Sequence, residues 1–111
     1  MDISQIAWSN DIRYVGSNSA MIPTSAGIYK ILKNDRQDGK YTRVYVGKAD
    51  NLNTRYNDHL SEFEENLCIK RNLKNYECYF RYALISREED RQDLEQRLLR
   101  EGNYECNVQG Q

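Results

Sequence analysis

Two short runs constrain this chain more than any other part of it. Ser25-Ala26-Gly27-Ile28-Tyr29-Lys30-Ile31-Leu32 and Tyr41-Thr42-Arg43-Val44-Tyr45-Val46-Gly47-Lys48 are rich in β-branched and aromatic residues, which suit a pleated, half-buried strand. The polar stretch between them, Asn34 to Lys40, contains Asp38-Gly39, a pair that favours hairpin turns. Two antiparallel strands are therefore expected, each with a tyrosine (Tyr29, Tyr45) and each bounded at one end by a glycine (Gly27, Gly47).

At 111 residues the chain has room for one domain with a single modest core. With 16 Lys and Arg against 17 Asp and Glu, the formal charge is −1. Such a balance argues against a strong free-standing nucleic-acid binder. Cys68, Cys78 and Cys106 show no C-x-x-C spacing and His59 is the sole histidine, so a structural zinc site lacks ligands. Free thiols in a cytoplasmic protein are the plain expectation. The opening residues lack a basic, apolar leader and no run approaches a membrane span.

Residues 1–24 mix single apolar residues with turn formers and read as a lead-in segment, in which 12–15 fit a short edge strand. Residues 25–108 form the expected domain. After the hairpin, Asp50 or Asn51 suits a helix N-cap. Leu52, Tyr56, Leu60 and Phe63 then recur at helical spacing over about 52–65. Residues 67–76 read as a short helix or ordered loop carrying Lys70, Arg71 and Lys74, the most basic cluster. Residues 78–85 read as a third strand. Ser86 and Glu89 have capping-box spacing, followed by a helix over 87–101 with Leu94, Leu98 and Leu99 on one side and Gly102 as its stop. The expected fold class is α+β, a small three-stranded antiparallel sheet flanked by helices.

Each polar residue of interest has an ordinary alternative. A strand tyrosine usually packs, Arg55 and His59 four apart on a helix usually form a solvated face, and Glu95 by default is a surface ion-pair partner. Their order in one short chain changes the balance. Gly27-Ile28-Tyr29, Tyr45-Val46-Gly47, Lys48, Arg55, His59, Glu95 in Asp93-Leu94-Glu95-Gln96-Arg97, and Asn107 closing Tyr104-Glu105-Cys106-Asn107 together resemble the GIY-YIG nuclease family over residues 22–108. Valine replaces the central isoleucine of the second motif, and the linker between the motifs is longer than is typical of the family.

The resemblance implies a divalent-metal-dependent DNA endonuclease leaving 5′-phosphate and 3′-hydroxyl ends. It implies Glu95 as the ligand of Mg²⁺ or Mn²⁺, Tyr45 as general base with Lys48 and Arg55 supplying a positive field, and Tyr29 orienting the water or the phosphate. His59 would contact the phosphate or leaving group or share the base role, and Asn107 would fix the geometry. The chemistry suits the residue types. One carboxylate suffices for a hard cation that keeps most of its waters, and an arginine fork matches phosphate oxygens. A phenol of ordinary pKa near 10 needs cationic neighbours to act as a base. Gly47, Lys48, Arg55, Lys70, Arg71 and Lys74 are the expected nucleic-acid contacts. Because the chain is net acidic, a homodimer or a DNA-targeting partner is the expected source of further affinity. The competing expectation is a non-catalytic binding or regulatory module of the same fold.

Overall fold

The computed structural model describes residues 2–107. Met1 of the lead-in and Val108, the expected end of the domain, lie outside them. Four strands form one antiparallel sheet: β1 (Ile12–Arg13), β2 (Gly27–Lys33), β3 (Thr42–Ala49) and β4 (Cys78–Leu84), in the spatial order β1-β4-β2-β3. The expectation of three strands is corrected to four. At two residues β1 is too short to show alternation, yet Ile12 pairs with Phe80 and Arg13 with Tyr79. The helices are α1 (Leu52–Leu60), α2 (Leu67–Asn75) and α3 (Glu88–Glu101).

β2 lies between β3 and β4, with α1 against one face and α3 against the other, and its seven residues are buried or half-buried. Tyr29 and Ile31 pack with Val44, Leu52, Tyr56, Ile69 and Phe80 on the face covered by α1 and α2. Ile28 joins Val46, Ala83, Leu94, Leu98 and Tyr104 beneath α3. This division follows from the two-residue period of a strand. The register places Tyr29 opposite Gly47 and Ile31 opposite Tyr45, and a bulge then sets Leu32 opposite Arg43 with Val44 as the extra residue.

α1 is capped by Asn51, whose side chain accepts from the Thr54 N–H. It ends at Leu60 rather than near residue 65, and Phe63 is 81% exposed instead of continuing the apolar stripe. The acidic residues after Leu60 oppose helix continuation because carboxylates are unfavourable at a helix C-terminus. α3 begins after Arg87 without a side-chain cap, so the Ser86–Glu89 capping box does not form. Leu94 and Leu98 are buried, whereas Leu99 is exposed and buried Arg91 takes its place on the inner face.

β3 is the outer strand of the sheet, and residues 105–107 run along it. Glu105 N–H donates to Arg43 O at 3.2 Å and Cys106 N–H to Val44 O at 2.7 Å. Glu105 also pairs with buried Lys33 at 2.9 Å. Cys106 is joined to Cys68 by a disulfide, which corrects the expectation of free thiols. Spacing could not reveal it, because the two cysteines are 38 residues apart and meet only when the tail packs against the start of α2. Cys78 stays free and buried, its thiol pushed up to about 11 by burial. Disulfides are rare in reducing compartments, so thiol usage no longer supports a cytoplasmic location. Among the described residues no helix is long and apolar enough to cross a membrane.

A loop of this size closed by a disulfide contributes about 3–4 kcal/mol in the chain-entropy account. Urea unfolding of the protein with and without reductant should show a loss of that order. Equal midpoints, with thiol titration confirming reduction, would show that the tail is held by its non-covalent contacts alone.

Candidate active site

The site is built around the two phenols. Tyr29, 1% exposed, stacks on Phe80 with ring centroids 5.2 Å apart. Half-buried Tyr45 lies alongside, its centroid 6.0 Å away. They approach because Gly47 has no side chain: a Cβ there would stand 2.5 Å from the Tyr29 Oη and 2.8 Å from the Tyr45 Cε2. Burial pushes both phenols up from their ordinary value, Tyr29 well above it, while Arg55 pulls each down. The resting phenols are therefore neutral.

α1 supplies the next two groups. Its His59 is buried against Tyr29, with Nε2 2.8 Å from the Tyr29 Oη. Burial lowers the imidazole pKa, and the Glu64 carboxylate beside it pulls the other way. Glu64, missed by the sequence reading, places Oε2 3.0 Å from His59 Nδ1. The only hint in the sequence was an acidic run after a helix. Arg55 sits one turn before His59, largely exposed, with Asp58 3.9 Å away.

Lys48 and Glu95 come from the other side of the sheet. Lys48 pairs with Ile28 and so faces away from Gly47 and Tyr29. Glu95 lies on α3, half-buried, and its carboxylate makes no ion pair or side-chain hydrogen bond among the described residues. Burial raises its carboxyl pKa and Lys48 counters this. Its charge reaches both phenols, raising each. The two sets of side chains thus meet around β3, beside a cleft of about 190 Å³ lined by Lys48, Ala49, Asp50, Arg55, Glu88 and Arg91.

Arg91 is a second residue the sequence did not single out. It donates to Ile85 O, Ser86 O and Asp50 Oδ1 at 3.0, 2.9 and 2.9 Å. One turn later on the same face comes Glu95, so Arg91 fixes how α3 presents that carboxylate. Asn107 closes the site from behind: its Oδ1 accepts from Val46 N–H and its Nδ2 donates to Val46 O, both at 2.9 Å. The carboxamide acts as one rung of a strand against the residue between Tyr45 and Gly47.

The structure therefore brings together Tyr29, Tyr45, Gly47, Lys48, Arg55, His59, Glu95 and Asn107. It does not bring Lys70, Arg71 and Lys74 to them. All three are exposed on α2. Lys70 donates to Glu62 O at 2.8 Å, and Arg71 lines a separate pocket with Leu67.

Comparison with solved structures decides the fold. The N-terminal GIY-YIG endonuclease domain of UvrC from Thermotoga maritima superposes with a TM-score of 0.64 at 24% identity, covering 84% of this chain and 93% of that one. The chain has the GIY-YIG fold. That structure is a tyrosine-to-phenylalanine mutant described as bound to its catalytic divalent cation. A second tyrosine mutant and an asparagine-to-alanine mutant of the same domain superpose with TM-scores of 0.63 and 0.62 at 23% identity, covering 83% and 84% of this chain and 93% of theirs. No family model matches the sequence, and no curated protein does. The GIY-YIG resemblance of the motifs thus rests on the fold as well as on the residues.

Two outcomes follow from this geometry. Gly47→Ala should lose about 1–3 kcal/mol in chemical unfolding, because the fully buried Tyr29 ring, packed on Phe80, has no room to withdraw; wild-type stability would mean that the phenols can part. Protonation of His59 should also oppose folding. The unfolded chain takes up that proton as pH falls through about 6.5, but the fold does so only lower down. Stability should therefore fall from about pH 6.5 towards the lowered pKa. Wild type should lose more than His59→Gln between pH 7 and pH 5.5, and equal losses would remove the assignment.

Proposed function

We propose that this chain is a divalent-metal-dependent DNA endonuclease that hydrolyses phosphodiester bonds to 5′-phosphate and 3′-hydroxyl ends. One observation carries the reading: Glu95, a half-buried carboxylate steadied by Lys48, stands across β3 from two phenols and an arginine, within electrostatic reach of both phenols. Solvent reaches that carboxylate, so a hard cation that keeps most of its waters can meet it there.

The donor set fits a hard metal. Among the described residues the one cluster of three possible ligand side chains is Cys68, Glu105 and Cys106, and its two sulfurs are joined in a disulfide. Glu95 belongs to no such cluster and offers oxygen only, which suits Mg²⁺ or Mn²⁺ retaining most of their waters and excludes a closed zinc site. When bound, the metal supplies charge neutralisation on the phosphate and the leaving oxygen.

The chain's own residues do the rest. Arg55, exposed at the cleft, takes a non-bridging phosphate oxygen and lowers the cost of ionising either phenol. Tyr45, the less buried phenol, is the general base for the attacking water, and Tyr29 behind it orients that water. Lys48 keeps Glu95 ionised. Asn107 holds Val46 and thereby the spacing of Tyr45 and Gly47. Lys70, Arg71 and Lys74 on α2 are candidate contacts to more distant phosphates. Partners such as a second copy or a DNA-targeting protein would raise affinity that the net charge of −1 does not provide.

The test is cleavage of supercoiled plasmid and branched DNA with Mg²⁺ or Mn²⁺, with end-labelling of the products. Glu95→Gln should abolish cutting while matching or exceeding wild-type stability, since it removes a charge that burial disfavours. Tyr45→Phe should lower the rate about 10²–10⁴-fold. Equal cutting by wild type and Glu95→Gln would remove the metal assignment. Inactive but folded wild type would favour a binding module of the same fold.

A further inference from the structure

We propose that Glu64 is a positioning residue of this site: its carboxylate fixes His59 as the Nδ1–H tautomer, so that Tyr29 points its proton at His59 and its oxygen lone pairs towards the neighbouring Tyr45. The argument is one of hydrogen-bond polarity along a buried chain. Glu64, His59 and Tyr29 are linked at 3.0 and 2.8 Å, and the side chains of Glu64 and His59 are only 11% and 5% exposed. Glu64 Oε1 also accepts from the Asn66 N–H at 3.0 Å. With one oxygen held by a backbone donor, the carboxylate has only an acceptor to offer His59.

That acceptor decides everything further along. A neutral imidazole carries one proton, and Glu64 draws it to Nδ1. Nε2 is then bare and must receive the Tyr29 O–H, which is the one proton that hydroxyl has. In the opposite tautomer His59 would donate to Tyr29, and the phenol would turn its proton away from His59, towards Tyr45. A phenol presenting a donor suits a phosphate oxygen. A phenol presenting lone pairs suits a water that is about to lose a proton. The arrangement selects the second, which gives a physical basis to the orienting role of Tyr29. This last step rests on the nuclease reading; the tautomer does not.

Glu64→Gln gives a sharp test. The glutamine carbonyl keeps the Asn66 N–H, so its NH₂ faces His59 Nδ1 as a donor, and the tautomer should invert. His59 is the sole histidine, so its two ring nitrogens can be read directly by long-range ¹H–¹⁵N NMR at neutral pH. The expected result is Nδ1–H in wild type and Nε2–H in Glu64→Gln, with both folded. An Nε2–H wild type, or a variant with an unchanged tautomer, would overturn the proposal. In DNA cleavage, Glu64→Gln should lower kcat about 10–100-fold, the range typical of groups that orient a functional histidine. KM should be unchanged, and no further loss should appear in a His59→Phe background. An inverted tautomer with wild-type kcat would overturn the positioning role. Wild type that fails to cleave any DNA would sink the nuclease reading, while the NMR result would still decide the tautomer.

Discussion

The register that places Tyr29 opposite Gly47 is the constraint on which the site depends. One missing side chain lets a whole aromatic ring lie across the outer strand, which brings a second phenol to within a ring's width of the first. Shift the pairing by one residue and Tyr29 would face α3 instead of α1. His59, Phe80 and Tyr45 would lose their common neighbour together. The bulge at Val44 matters for the same reason, since it takes up an extra residue and leaves Tyr45 on the Tyr29 face.

The arrangement is two-sided. α1 brings an imidazole and a guanidinium to one face of the sheet, and α3 brings a carboxylate to the other. They can cooperate only because β3 is the outermost strand and narrow enough to reach around. An inner strand would have isolated the two sets behind its neighbours. Arg91 serves this geometry by tying the start of α3 to the loop after β3 through Asp50.

Much of this was legible in the sequence because the relevant signals are local. The hairpin follows from β-branched runs and an Asp-Gly turn, the start of α1 from the Asp50-Asn51 pair of cap formers, and the shared face of Arg55 and His59 from their spacing. The order of the motifs then pointed to the fold. What was not legible depends on tertiary placement. Glu64 lies beyond the end of α1, where periodicity says nothing about which way a carboxylate folds back. Arg91 reads as one of several charges on a polar helix until the loop carbonyls it satisfies are seen. Two residues of β1 carry no pattern, and the disulfide needs the tail to be in place. Leu99 and Phe63 were drawn inward by apolar character alone, although single exposed apolar residues are ordinary.

Residues 105–107 also seal the sheet. An outer strand normally shows a row of unpaired amides and carbonyls that another chain can join. Here Glu105, Cys106 and the Asn107 carboxamide occupy that row, and Cys68 holds them there. A protein shortened before Glu105 would lose a site residue and at the same moment acquire an adhesive border. Inactivity in such a truncation would then report self-association as readily as chemistry, and only a substitution that leaves the backbone of 105–107 in place separates the two.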